Sequence, residues 1–130
     1  VIIIVILGIL ATQAIPTYLS MVDDAKKASG KANLGSLRSA LSIYYAYKAT
    51  PMGGESASWP TLTQLSDQTT VLNGQMPDNA YDTTAVKNDV MVGVLPRGTL
   101  SANGAGWAYL ETVGLIWLNT ETAGISENGW

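Results

Sequence analysis

The oxygen-bearing residues in the middle of the chain come closest to a chemical constellation. Asp78, Asp82 and Asp89 lie in a loop-rich stretch with Asn73, Asn79 and Asn88 nearby. Carboxylate and amide oxygens on loops are the ligands a hard cation such as calcium takes. The spacing is not that of an EF-hand, and Asp and Asn also favour turns for hydrogen-bonding reasons of their own. Glu111 and Glu121 have no paired carboxylate and read as solvated strand-end residues. Gly104-Ala105-Gly106 lacks the Lys-Ser/Thr tail and the following helix of a phosphate loop. Tyr18, Tyr44, Tyr45 and Tyr47 would be candidates for an aromatic electron path. At helical spacing, however, aromatics usually serve as core or interface anchors. Ser56 and Ser58 sit in a small, polar loop of the kind that carries glycans. Histidine and cysteine are absent. That removes Cys/His zinc sites, c-type haem attachment, thiol chemistry, disulfides and every His-based triad. No serine or lysine has a visible activating partner. The expectation is a chain that is not an enzyme, with no catalytic residues, no metal and no cofactor.

The elements that would position such residues carry more information. At 130 residues the chain amounts to one domain. Its hydrophobic share of 47% is that of a folded protein. Charged residues make up 13%, about half the usual share, and the net charge is −3. An acidic chain with a pI near 4.6 argues against a nucleic-acid-binding surface. The charge is also unevenly spread, because the first charged residue is Asp23.

Before Asp23 runs VIIIVILGILATQAIPTYLSMV, unbroken and apolar from Val1 to Ala11. As a helix, Val1 to Val22 would be about 33 Å long, close to the thickness of a bilayer's hydrocarbon core. It is apolar on every side, unlike the amphipathic helix of a soluble core. A signal peptide would show a basic n-region and a small-residue cleavage site. No Lys or Arg precedes the apolar run, and Thr12-Gln13-Ala14 is a weak cleavage site. A simple anchor would show flanking basic residues and interfacial aromatics, which Lys26-Lys27 and Tyr18 partly supply. The third reading is a helix that resides first in a membrane and later in a protein assembly.

The helical pattern continues past Pro16, which marks a junction because it lacks a donor and crowds the preceding turn. Asp23 and Asp24 precede Lys26 and Lys27, giving acidic-to-basic pairs at i,i+3 and i,i+4. These are either a solvated helical face or pairs between subunits of a filament. Leu34, Leu37, Leu41 and Tyr44 or Tyr45 recur at 3/4 spacing, a head-packing face that Ala25, Ala28 and Ala32 extend backwards. Ser29, Asn33, Ser36, Arg38, Ser39 and Ser42 fill much of the opposite face. Gly30 and Gly35 mark flexible points or close approaches. Thr50-Pro51 and Met52-Gly53-Gly54 end the helix. The division is a long helix over 1–48, with an apolar half 1–22 and an amphipathic half 23–48, followed by a head over 49–130.

In the head, Lys48 to Ser58 reads as a loop, and Thr61 caps a short helical turn to Ser66. Val71 to Asn88 is turn-rich, with a turn expected at Met76-Pro77-Asp78. Val90 to Leu95, Trp107 to Glu111 and Leu115 to Asn119 read as strands, the last two as a hairpin about Thr112-Val113-Gly114. Ser101 to Gly106 is turn-prone, and Thr120 to Trp130 reads as a polar tail or closing loop. Three antiparallel strands with one apolar face need a cover, and the Leu34–Leu41 face supplies it. The expected fold is α+β, a long N-terminal helix packed on a small antiparallel sheet.

With these residues in view, the chain resembles the type IV pilin and pseudopilin family. The resemblance rests on VIIIVILGILATQAIPTYLSMVDDAKKAS, continued by KANLGSLRSALSIYYA. Trp59-Pro60-Thr61-Leu62-Thr63-Gln64-Leu65 is similar to the aromatic-Pro element that often follows the family's helix. GWAYLETVGLIWLN is similar to the late hairpin of several members. The chain departs from the family at Thr12 and Gln13, where Ala and an aliphatic residue are common, and in having no cysteine for a C-terminal disulfide. The family's peptidase site, methylated first residue and buried glutamate would lie just upstream of Val1. The resemblance implies a subunit anchored in the inner membrane and then polymerised, with the pilus assembly machinery, into an extracellular helical filament of identical copies. Its filament core would be Val1, Ile2, Ile3, Ile4, Val5, Ile6, Leu7, Gly8, Ile9, Leu10 and Ala11. Thr12, Gln13 and Pro16 would let the helix loosen. Adhesion, motility, DNA uptake, secretion and electron transfer are all served by such fibres. The alternatives are a pseudopilin of a type II secretion system and a membrane-anchored monomeric binding domain.

Overall fold

The computed structural model describes residues 1–67, 69–101 and 104–130. One helix, α1 (Ile2–Lys48), runs through Pro16 without a break. It ends where Ala49 donates back to the carbonyls of Tyr45 and Ala46 and Thr50 turns extended ahead of Pro51. A 3-10 turn follows at Pro51–Gly53. The expected helical turn after Trp59-Pro60 is α2 (Leu62–Ser66). It opens on a capping box, with the Thr61 hydroxyl accepting from the Gln64 N–H and the Gln64 side chain accepting from the Thr61 N–H.

The sheet comprises β1 (Val90–Val92), β2 (Trp107–Leu110) and β3 (Leu115–Leu118) in the order β1-β2-β3. The hairpin of β2 and β3 is antiparallel as expected, with Ala108 opposite Trp117 and Leu110 opposite Leu115. β1 departs from expectation, because it lies parallel to β2. The sheet is therefore mixed. A parallel neighbour requires a crossover of about a dozen residues or more, and residues 93–106 provide it. β1 is also shorter than the apolar run Val90 to Leu95. The chain leaves the ladder at Gly93, whose N–H still reaches the Tyr109 carbonyl, before Pro96, which has no N–H to offer.

The described parts of that segment, 93–101 and 104–106, fold over the sheet face opposite α1. Gly93 lies against the Trp117 ring, where a Cβ would come within 2.4 Å of it. The Trp117 indole donates to the Thr99 carbonyl at 3.2 Å. Asn119, almost fully buried, donates to Ser101 and Ala105 carbonyls and accepts from the Ser101 N–H. Trp107, Ala108 and Tyr109 are consequently all buried in succession, without the alternation of a half-solvated strand. On the other face, Trp107, Tyr109, Ile116 and Leu118 pack with Leu34, Leu37 and Leu41 of α1, with Leu65 of α2 and with Met76. The expected turn at Met76-Pro77-Asp78 is not formed. Met76 is drawn into this core, and the Pro77 carbonyl accepts from the Trp107 indole at 2.7 Å. Ser101 to Gly106 falls partly on Ala102 and Asn103, which lie outside the described residues.

Candidate assembly helix

The two halves of α1 have opposite surroundings. Every residue from Val1 to Met21 is exposed. The segment is long and apolar enough to cross a membrane by length and composition, and none of its most apolar window is buried within the chain. All of Val1 to Ala11 thus share one bare surface, with Ile3 at 73% and Leu7 at 60% exposure. Both of its threonine hydroxyls are turned onto the helix itself. The Thr12 hydroxyl donates to the Ile9 carbonyl at 2.7 Å and the Thr17 hydroxyl to the Gln13 carbonyl at 3.1 Å. Such back-bonding lets hydroxyls sit in an apolar environment without an external partner. Pro16 has no N–H to return to the Thr12 carbonyl, so the ladder is thinnest where Thr12, Gln13 and Pro16 stand.

From Gly30 onward the helix is docked. Gly30, Leu34, Leu37 and Leu41 are its buried residues, a stripe at 4/3/4 spacing. Ala25, Ala28 and Ala32 are exposed and do not extend this stripe. Gly30 does, because the head's lower edge is the Trp130 ring, which a Cβ on Gly30 would meet at 3.3 Å. Gly35 faces open space. Tyr44 is half-buried and donates to Gln64 at 3.1 Å, which ties α2 to the helix. Tyr45 lies at the rim, with its ring centroid 4.4 Å from that of Trp59. Trp59 in turn covers Gly114, where φ is +68° and a Cβ would fall 2.2 Å from the indole. Only glycine closes the β2–β3 turn in that conformation and in that space.

Arg38 belongs to the docked side rather than to the polar face expected for it. Its guanidinium donates to the Ile116 carbonyl at 3.3 Å and to the Trp130 carbonyl. Burial, and then the nearby Arg97 charge, lower its pKa from the usual arginine value. Lys31 places its ammonium 4.9 Å from the Trp130 ring centroid, and Tyr81 meets the same ring edge-on at 5.9 Å. The segment from Thr120 to Trp130 is therefore an anchored closing loop. Its fixing point is Glu127, which is fully buried. Burial disfavours its charged form, but hydrogen bonds from the Thr122 N–H, its own N–H and the Thr122 and Thr120 hydroxyls outweigh this and leave its pKa below the ordinary 4.5. Nothing in the sequence distinguished Glu127 from the other carboxylates. Gly30 carries the local signal for the Trp130 contact, since a glycine inside a helix marks a flexible point or a close approach.

The oxygen-rich middle is dispersed among structural contacts. Asp78 forms an ion pair with Lys87 at 2.8 Å, and that hydrogen bond is the main cause of the raised Lys87 pKa. An Asp82 carboxylate oxygen accepts from the Thr84 N–H. Asn79 is fully buried, donating to Gly106 and Thr120 and accepting from Tyr81. Asn73 and Asp89 are exposed and Asn88 half-buried. Among the described residues no group of three or more His, Cys, Asp or Glu side chains gathers at metal-binding distance. Glu111 accepts from the N–H of Leu62, the first residue of α2. The Tyr109 hydroxyl is committed to the Pro60 carbonyl at 2.8 Å, and burial, then Glu111 and Tyr44, raise its pKa. Ser56 and Ser58 are exposed. No family model, curated protein or solved structure matches the chain.

Proposed function

We propose that this chain is a filament subunit of the type IV pilin kind, anchored by residues 1–22 in a membrane and polymerising through that same segment. The reading is carried by one observation. A single helix runs without interruption from a folded head into about 33 Å of apolar surface that touches nothing in its own chain. Exposed to water, such a surface is far larger than a soluble monomer tolerates. Lipid covers it without regard to side-chain shape, whereas like copies cover it by packing. Exchanging lipid for neighbouring helices removes no further water contact, so close fit governs assembly. The side-chain-free Gly8 and the small Ala11 allow helices to approach there. Identical copies meeting through non-identical surfaces form an open helical polymer. The head contributes the outer surface of the fibre.

The test is assembly of the full chain on removal of detergent, followed by electron microscopy and sedimentation. Filaments are expected from the native chain. Replacing residues 1–22 by poly-Leu should abolish them while leaving membrane insertion intact. If the poly-Leu chain performs like the native one, the segment is a generic anchor for a monomeric domain. A short-filament pseudopilin would be distinguished by limited filament length.

A further inference from the structure

The head-facing stripe of α1 does not stop at the head. Leu41, Leu37, Leu34 and Gly30 continue at the same spacing to Lys27 and Asp23, which are exposed below the Trp130 edge. At about 100° per residue, Lys26, Asp23, Lys27 and Asp24 succeed one another around the helix over an arc of about 160°. The signs alternate, with a basic flank at Lys26 and an acidic flank at Asp24. All four are exposed, and none forms an ion pair among the described residues, where the Lys87–Asp78 pair is the one formed. The i,i+3 and i,i+4 spacings available within the helix are thus unused.

This inference rests on the filament reading. The apolar segment beside the belt is rich in interchangeable aliphatics, Ile2-Ile3-Ile4-Val5-Ile6. Sliding one such helix along another by a turn changes little in apolar contact, so packing alone sets the axial register weakly. Charges at the edge of an apolar seam are the usual means of fixing register and direction between helices. We infer that Asp23, Asp24, Lys26 and Lys27 form a self-complementary register belt, with the basic flank of one copy lying against the acidic flank of the next. The occupant is a second, parallel copy of this chain, because a belt with one flank of each sign satisfies a neighbour on both sides. A displacement of about 3 Å along the axis, two residues of helix rise, levels Lys26 of one copy with Asp24 of another.

The experiment uses the full chain with the native sequence as reference. D23K/D24K makes the belt uniformly basic, K26D/K27D makes it uniformly acidic, and the fourfold D23K/D24K/K26D/K27D inverts it. Each uniform variant alone should need about tenfold more protein to form filaments at low salt, where exposed charges are least screened. An equimolar mixture of the two should assemble near the native concentration, and so should the inverted belt. Head melting should be unchanged throughout, which separates assembly from folding. If the uniform variants assemble like the native chain, or if neither the mixture nor the inverted belt recovers, the belt does not set register, while the filament reading stands. If the native chain itself forms no filaments, that reading falls and the inference with it.

Discussion

The two halves of α1 share a backbone geometry and differ in what their side chains meet. In the docked half, a leucine every three or four residues lies against Trp107, Tyr109, Ile116 and Leu118, and stability comes from burial inside one chain. In the bare half, aliphatic residues stand on all sides, so no single neighbour within the chain could cover them. One half is a core element, and the other is an apolar surface that nothing in its own chain covers.

The largest effect should come from a matched pair of truncations. Leu37→Ala should lower the unfolding free energy of the head by about 2–5 kcal/mol, read from denaturant melts. Ile6→Ala removes a similar amount of apolar side chain and should change head stability by less than about 0.5 kcal/mol, because Ile6 touches nothing there. Equal effects would break the distinction between the halves.

Next in size is the loop that holds the lower edge of the docked half. Glu127→Gln should cost about 1–3 kcal/mol at neutral pH, because a buried set of charge-assisted hydrogen bonds is lost. The pH dependence has a definite sign. The folded-state pKa of Glu127 lies below its ordinary 4.5. Its stabilisation is therefore present above about pH 4.5 and lost as pH falls through the folded value. Thermal melts of the native chain should decline over that acidic range, and the decline should be shallower in Glu127→Gln.

The glycines give a smaller and graded comparison. Gly35→Ala, in open space in the docked half, should stabilise the head by about 0.5–1 kcal/mol. Gly30→Ala should show less of that gain because the new methyl presses on Trp130 at 3.3 Å. Gly8→Ala should leave head melting unchanged and, on the proposed filament reading, act on assembly alone. The smallest effect is expected at Tyr81, whose hydroxyl is buried without a hydrogen-bond partner among the described residues. Burial, and then the Glu127 and Asp23 charges, raise its pKa and keep it neutral. Tyr81→Phe removes an unsatisfied polar atom and should be neutral or stabilising by up to about 0.5 kcal/mol in the same melts.

The legible parts of this molecule are those whose cause is local. Leu34, Leu37 and Leu41 announce their face by periodicity alone, and Thr61 with Gln64 announces the start of α2 through capping chemistry. The β2–β3 hairpin follows from two apolar runs around Thr112-Val113-Gly114. Periodicity places Arg38 on the polar face, whereas its partners, the Ile116 and Trp130 carbonyls, lie far along the chain and draw it to the docked side. The same reason hides the burial of Glu127 and Asn79, since a polar side chain is drawn inward only by donors and acceptors that the fold brings to it.

The amino-acid sequence by itself determined the long helix, its division at Asp23 into an uncharged and an amphipathic part, the two hairpin strands and the absence of Cys and His chemistry. All of these depend on residue type and short-range spacing. The tertiary structure alone decided that β1 runs parallel to β2 and that the crossover seals the second face of the sheet over Trp117. It also decided that Trp130 closes on Gly30, leaving Lys27 and Asp23 just beyond the head. Strand direction and edge position depend on where distant segments find space and hydrogen-bond partners, and a local pattern carries no record of that.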